Sequence, residues 1–519
     1  MAASRLPCQQ DEFILLLTDR AGERYNAAHR PDFIDHGKRM KRFLLILLLL
    51  SLPRVTDAAG PNVLLIAVDD LRPELACYGA DHAQTPSIDR LARQSILFRN
   101  HFVQVPTCGA SRYALLTGRS PFQSGVTRSN QSMYRGNSAL SQKQLPSAQS
   151  MPELFRRSGY QTVCIGKISH TADGRVYEYN GSGDGRDEVP HAWDELATPF
   201  GSWGRGWGVF FAYADGRHRE DGKGNKDLVE FTVTEDTDLP DGLLAKAAME
   251  KLSAFKQSGK PFFLGLGFIK PHLPFVAPRQ DWDAFEDVDI PLPPHPKKTT
   301  SRFWHKSGEF FKYNFPFDKT PPLSEEHVRY CRRAYLACVR YTDRQVGKVL
   351  AHLEATGLAD NTIVVLWGDH GWNLGDSQMW AKHAPFERAV RSPLLIRVPG
   401  RTSGQFSDAL VETLDIYPTL RALCRPSFTK TRFPLDGKNL EPLIENPEGE
   451  VRPAAFSFWG SAVSVRTSTH RLVAIKEEKA WKGLELYDGT TGFDPVRNQA
   501  GENREVVREM LRFLPASGE

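Results

Sequence analysis

The chain has 519 residues, of which 40% are apolar and 25% charged, and its formal net charge is only +4. That is the composition of a globular protein with a sizeable core, long enough for roughly three average domains or one large domain with a small one. So small a charge gives no reason to expect nucleic acid as a partner, although local basic clusters can still suit an anionic substrate.

Seven cysteines stand at positions 8, 77, 108, 164, 331, 338 and 424, with no C-x-x-C spacing. This argues against a zinc ribbon or a disulfide-built scaffold. Cys331 and Cys338 fall seven residues apart on a predicted helix, about two turns, too far to bridge; both are expected to pack.

Near the N-terminus a basic cluster, residues 38–42, precedes the apolar run 43–50, and the small residues Ala58, Ala59 and Gly60 follow. This order reads as a secretory signal peptide over residues 40–60, which predicts a secreted or periplasmic protein. The run falls short of the ~20 residues that span a bilayer, so no stable membrane anchor is expected. Residues 1–39 read as a mis-assigned leader, with translation starting at Met40.

Residues 61–68 form an unbroken aliphatic run that stops at Asp69 and Asp70. Such a strand is buried on both faces, as in the parallel sheet of an α/β fold, where ligands bind beyond the carboxyl ends of strands. A helix follows from Thr85 to Arg93 with Pro86 in its first turn, then a strand from Ile96 to Val103. The stretch 110–117 has helical composition, which puts Cys108 at a helix N-terminus, where backbone N–H groups favour an anion. Arg112 is one helical turn further on, on the same side.

A short helix ending at Gly159 leads to the strand 161–167, which delivers Lys167 and His170 at its end. Residues 171–240 read as a long insert of loops; Trp193, Trp203 and Trp207 in it could stack on sugar faces or pack in the core. The strand 261–268 ends near Lys270 and His272. The clearest helix runs from Leu323 to Thr356, capped by Ser324 and stopped by Gly357. The strand 362–368 then repeats the first pattern and ends at Asp369 and His370. The strand 393–399 and a helix starting near Leu414 continue the β/α alternation. Beyond about residue 430 short strands with tight turns and a helix over 503–514 predict a small α+β subdomain. The predicted domains are therefore 61–430 and 431–519.

Asp69, Asp70, Asp369 and His370 are four metal-ligand candidates at two strand ends. Carboxylates suit calcium or magnesium, while the histidine also admits zinc or manganese. Beside them stand the cationic candidates Lys167, His170, His272 and Lys382, with Lys270 and His383 as neighbours that could be mistaken for them.

The motif Cys108-Gly-Ala-Ser-Arg112, followed after four residues by Thr117-Gly-Arg119, resembles the maturation signature of type I formylglycine-dependent sulfatases. Lys167 with His170, Lys270-Pro-His272-Leu-Pro-Phe275, and Asp369-His-Gly-Trp372 with Trp380-Ala-Lys382 look like the iduronate-2-sulfatase branch and its bacterial relatives, from about residue 61 to the C-terminus. The resemblance implies an alkaline-phosphatase-like fold with a mixed, mainly parallel sheet flanked by helices. It implies sulfate removal from a sulfated saccharide, with Cys108 oxidised to formylglycine by a maturation enzyme and then acting as nucleophile.

In that family the metal is bound by residues matching Asp69, Asp70, Cys108, Asp369 and His370, which favours calcium over magnesium. Arg112 would hold the diol or sulfate. Lys167, His272 and Lys382 would bind sulfate and assist the leaving oxygen, and His170 would assist aldehyde release. One departure is Ser377, where the branch often has histidine; it puts the substrate's identity in doubt. The alternatives are a phosphodiester or phosphonate hydrolase of the same superfamily, or a non-catalytic binder of sulfated glycans if Cys108 is not matured.

Overall fold

The computed structural model describes residues 60–515, apart from 478, 479 and 493. The leader, nearly all of the signal peptide, Met40 and Cys8 lie outside the described residues. Eight strands form the main sheet: β1 (Asn62–Val68), β2 (Ile96–Phe102), β3 (Gln161–Gly166), β4 (Glu195–Leu196), β5 (Phe262–Phe268), β6 (Thr362–Gly368), β7 (Leu394–Arg397) and β8 (Gln405–Glu412). Their spatial order is β8-β2-β7-β6-β1-β5-β3-β4. Every pairing is parallel except those of β7, which runs against both β2 and β6.

The central strands β1, β5 and β6 are buried along their whole length. Because side chains alternate across a strand, Leu64, Ile66 and Val68 feed one core and Val63, Leu65 and Ala67 the other. The first core is covered by α3 (Pro240–Ser258) and α4 (Glu325–Ala355). The second is covered by α2 (Cys108–Thr117) and α5 (Ile416–Cys424), while α1 (Pro86–Ala92) packs on the first. Ser324 caps α4 by accepting from the His327 N–H at 3.2 Å, and Gly357 takes the left-handed turn (φ 68°) just beyond it.

Two of the eight strands escape the sequence pattern. β8 carries no strand signal, because Gln405, Ser407 and Asp408 interrupt its apolar residues; it is an edge strand with its first half partly exposed. The predicted loop insert also contributes the two-residue strand β4.

Beyond the main sheet lies a smaller antiparallel one of four strands in sequence order: β9 (Ala455–Trp459), β10 (Ala462–Arg466), β11 (His470–Glu477) and β12 (Ala480–Asp488), followed by α6 (Arg504–Leu511). β9 is tied to the segment entering α2: the Phe458 N–H donates to the Gln104 carbonyl at 2.7 Å and Ser457 Oγ to the Val103 carbonyl at 2.6 Å. The fold is thus an alkaline-phosphatase-like α/β sandwich with a smaller C-terminal β-rich subdomain. Among the described residues no helix is long and apolar enough to cross a membrane. All six described cysteines are free, and Cys331 and Cys338 are buried in α4 as packing residues.

Candidate active site

Five strands that run the same way end on one rim of the sheet, and the chain leaves each of them carrying a polar residue. β1 leads to Asp69 and Asp70, β3 to Lys167, β5 to His272, β6 to Asp369 and His370, and β2, after a short turn, to Cys108. The registers of β1, β5 and β6 align Val68 with both Phe268 and Gly368, so these ends are level. At the end of β3 a Cβ on Gly267 would lie 2.1 Å from the Lys167 carbonyl oxygen. Glycine there allows the close approach that brings Lys167 over the rim.

Asp70 has a left-handed backbone (φ 58°), unusual for a residue with a side chain. It is held by Tyr335, whose hydroxyl donates to the Asp70 carbonyl at 2.9 Å, and by its own N–H, which donates to Asp369 Oδ1 at 2.9 Å. Strain of this kind persists where surrounding bonds over-determine it.

Asp69, Asp70, Cys108 and His370 offer ligand atoms that all lie within 4.8 Å of one another. His370 Nδ1 is 3.0 Å from the Gly371 carbonyl, which fixes its N–H there and leaves the Nε2 lone pair facing Asp70 Oδ1 and Cys108 Sγ, each at 3.3 Å. Asp69 Oδ1 and Asp70 Oδ2 are buried without a hydrogen-bond partner. Buried carboxyl oxygens left without a hydrogen bond are costly, and an oxygen-rich set of this kind fits a hard divalent cation. Asp369 adjoins the group: Oδ1 is 3.7 Å from His370 Nε2, while Oδ2 accepts from Arg112 Nε at 3.0 Å.

Cations surround this cluster. Lys167 Nζ is 2.6 Å from Asp69 Oδ2, and Lys382 Nζ is 2.9 Å from Asp70 Oδ1 and 3.5 Å from Cys108 Sγ. Arg112 is wholly buried; besides Asp369 it faces Asp69 at 3.5 Å and donates to the Lys167 carbonyl. His272 Nε2 lies 3.8 Å from Asp70 Oδ2. His170 is buried against Trp207 with Nδ1 unpartnered, and it bonds to none of the ligand candidates.

Of the two confusable neighbours, Lys270 is spent on the backbone carbonyls of His272 and Pro274. His383 lies outside the ligand group, stacked on Trp459 with centroids 4.8 Å apart.

These charges act on one another. Burial alone would raise the Asp69 carboxyl, but Lys167, His272 and Arg112 outweigh it and hold it well below the usual carboxylate range. For Asp70 burial wins over Lys382 and, with the Asp69 charge, pushes the carboxyl well above that range. Burial and Asp69 also push the Cys108 thiol up to about 12, so the unmodified side chain is a neutral thiol and a poor nucleophile. Burial, helped by Lys382, lowers His272 to about 3.

Two further residues border the site without any signal in the sequence pattern. Asn130 Oδ1 accepts from the Gly109 N–H at 2.9 Å and from Thr107 Oγ at 3.1 Å, capping the start of α2. Glu309, on the short helix Gly308–Phe311, reaches Lys382 Nζ at 3.2 Å and His272 Nε2 at 3.6 Å. No motif marks it in the sequence. Trp193, Trp203 and Trp207 are buried; the Trp203 and Trp207 ring N–H groups donate to the carbonyls of Tyr213 and Tyr177, so they pack in the core. Ser377 is buried as well, its N–H donating to the His295 carbonyl at 2.7 Å.

The fold and this buried cluster of acids and cations around one cysteine define a hydrolase. The sulfatase family model matches residues 61–424, and the chain belongs to that family. Iduronate 2-sulfatase of Mus musculus is 31% identical over 458 residues, covering 77% of this chain and 76% of its own length. A sulfatase of Formosa agariphila is 30% identical over 462 residues, covering 87% and 83%. Among solved structures, the phosphonate monoester hydrolase from Silicibacter pomeroyi superposes with a TM-score of 0.67 at 23% identity, covering 87% of this chain and 95% of its own, and shares the fold.

Proposed function

We propose that this sulfatase removes sulfate from a saccharide, in the manner of iduronate-2-sulfatase, with formylglycine made from Cys108 as nucleophile and calcium as the bound ion. The observation that carries the reading is the meeting of Cys108 Sγ with His370 Nε2 at 3.3 Å and Lys382 Nζ at 3.5 Å, beside Asp69 and Asp70. In the matured protein the sulfur atom's place is taken by the hydrated aldehyde's oxygens. Asp69, Asp70, Asp369 and His370 would hold the ion, which as a Lewis acid would favour the ionised diol and offset sulfate charge.

The chain's own residues supply the rest. Lys167, Lys382 and Arg112 neutralise the substrate oxygens while one diol oxygen, its proton released to water, attacks sulfur and the bond from sulfur to the leaving oxygen breaks. The leaving oxygen takes its proton from Lys382 Nζ, with His272 beside it binding the sulfate. The second hydroxyl then gives up its proton toward His170, its oxygen forms the C=O bond, and the carbon–oxygen bond to sulfate breaks, releasing sulfate and restoring the aldehyde. The saccharide class rests on relatives named iduronate 2-sulfatase. Export through residues 40–60 and a maturation enzyme as partner complete the proposal.

The test is mass spectrometry of the Cys108 peptide together with assays of sulfate and phosphate esters of one alcohol, followed by a screen of sulfated mono- and oligosaccharides. Formylglycine and a preference for sulfate are expected. A phosphate preference would overturn the substrate class, and an unmodified thiol with glycan binding but no turnover would make the chain a binder.

A further inference from the structure

Glu309 puts a negative charge beside the cations that are meant to receive an anion. Its place is fixed by packing. Ser307, with a left-handed backbone (φ 54°), enters the helix Gly308–Phe311, and its Oγ accepts from the Trp380 N–H at 2.7 Å. Phe310 stacks flat on Trp380, with centroids 4.5 Å apart and planes 3° apart. Glu309 is therefore clamped to the strand Trp380–Ala381 that leads directly into Lys382. Ala381 and His383, the neighbours of Lys382, both have positive φ (64° and 71°), so the lysine is held at a strained bend facing this carboxylate.

The charge of Glu309 is also differently employed from those of the three aspartates. Asp69 and Asp70 belong to the ligand group and Asp369 adjoins it. Glu309 instead faces nitrogen groups: Oε1 lies near Lys382 and His272, and Oε2 lies 3.8 Å from His383 Nδ1. Burial would raise its carboxyl, but Lys382, His272 and His383 hold it well below the usual range, so it is an anion.

An anion in contact with Lys382 weakens that lysine's attraction for sulfate, in the bound substrate and in the product alike. Product release limits turnover in many enzymes, and a pocket with Lys167, Lys382 and Arg112 would otherwise retain a dianion. We propose that Glu309 is a positioning residue that holds Lys382 toward the leaving oxygen and lowers the pocket's affinity for free sulfate, so that the product departs. This rests on the reading of the site as a sulfate-ester pocket.

The experiment uses the matured, calcium-loaded protein and sodium sulfate as probe, at ionic strength held constant with sodium chloride. Sulfate binding is read from thermal stabilisation and from competitive inhibition. In Glu309→Gln, sulfate is expected to bind about tenfold more tightly, the scale of one partly screened charge pair, with KM and kcat both lower. The same tightening is expected of Glu309→Ala, so the test does not hang on one variant folding. Glu309→Asp, which keeps the charge, should stay within about twofold of the parent.

A residue with a merely structural role would loosen sulfate binding when replaced. Unchanged or weaker binding in the Gln and Ala variants, with a parent that binds sulfate, overturns the role of Glu309 alone. A parent that neither binds sulfate nor cleaves sulfate esters overturns the reading of the site itself.

Discussion

Lys167 Nζ and Asp69 Oδ2 meet at 2.6 Å with neither side chain exposed to solvent. The pair joins the ends of β3 and β1 across β5, and it is as much a structural clasp as a piece of the site. Replacing Lys167 with Met leaves the Asp69 carboxylate buried and short of its nearest cation. In chelator-treated protein at pH 7 this should cost about 3–5 kcal/mol. Urea unfolding measures it; a loss below ~1 kcal/mol would mean that Arg112 alone suffices for Asp69.

Chelation should itself destabilise the parent. Without an ion, Asp69 and Asp70 each keep a buried oxygen with no hydrogen-bond partner. Treatment with EDTA is expected to lower the melting temperature, and calcium at a hundred times its Kd should return about 2.7 kcal/mol. Identical melts with and without chelator would argue against a resident ion.

Cys108→Ala separates chemistry from architecture. The side chain is small, and its nearest polar partners are His370 and Lys382. The variant should melt within a few degrees of the parent, bind sulfated oligosaccharide, and show no turnover. Residual activity near the parent's, in a sulfate-release assay, would refute the nucleophile assignment.

A fourth expectation concerns acid stability away from the site. Burial would raise Glu74, but Arg72, His82 and Arg332 outweigh it and lower its carboxyl to about 2. A depressed carboxylate contributes stability that is present above its unfolded pKa and disappears as pH falls through the folded one. Here the window runs from about pH 4.5 down to about 2, and the shift corresponds to roughly 3 kcal/mol. Chemical unfolding of the parent and Glu74→Gln across this window tests it: the variant should be less stable at pH 6 and lose less on acidification.

Much of this was legible in the sequence because the central site-bearing strands β1, β5 and β6 are long apolar runs that give way to charged residues at or just beyond their ends. Strands β1, β5 and β6 announce both their burial and the side on which Asp69, His272 and Asp369 emerge. Cys108 and Arg112 could be put on one helix face by spacing alone. What stayed hidden depends on partners distant in the chain. β8 is polar enough to pass for a loop until β2 supplies its hydrogen bonds. The tryptophans of the insert could be assigned to sugar or to core only once Tyr177 and Tyr213 were seen to take their N–H groups. Glu309 sits in no recognisable pattern, and only the stacking of Phe310 on Trp380 brings it to Lys382.

The assembly of the cluster also has an order in time. Cys108 and His370 are separated by 262 residues, and the Asp70 N–H finds Asp369 across 299. During synthesis the cysteine leaves the ribosome long before β6 exists to close over it, and contacts of such separation form late. Afterwards it is enclosed: a Cβ on the adjacent Gly109 would lie 2.3 Å from the Asn130 carbonyl oxygen. A macromolecule that had to reach the Cys108 thiol would therefore meet it most freely on the nascent chain, before β6 and the Asn130 segment close around it.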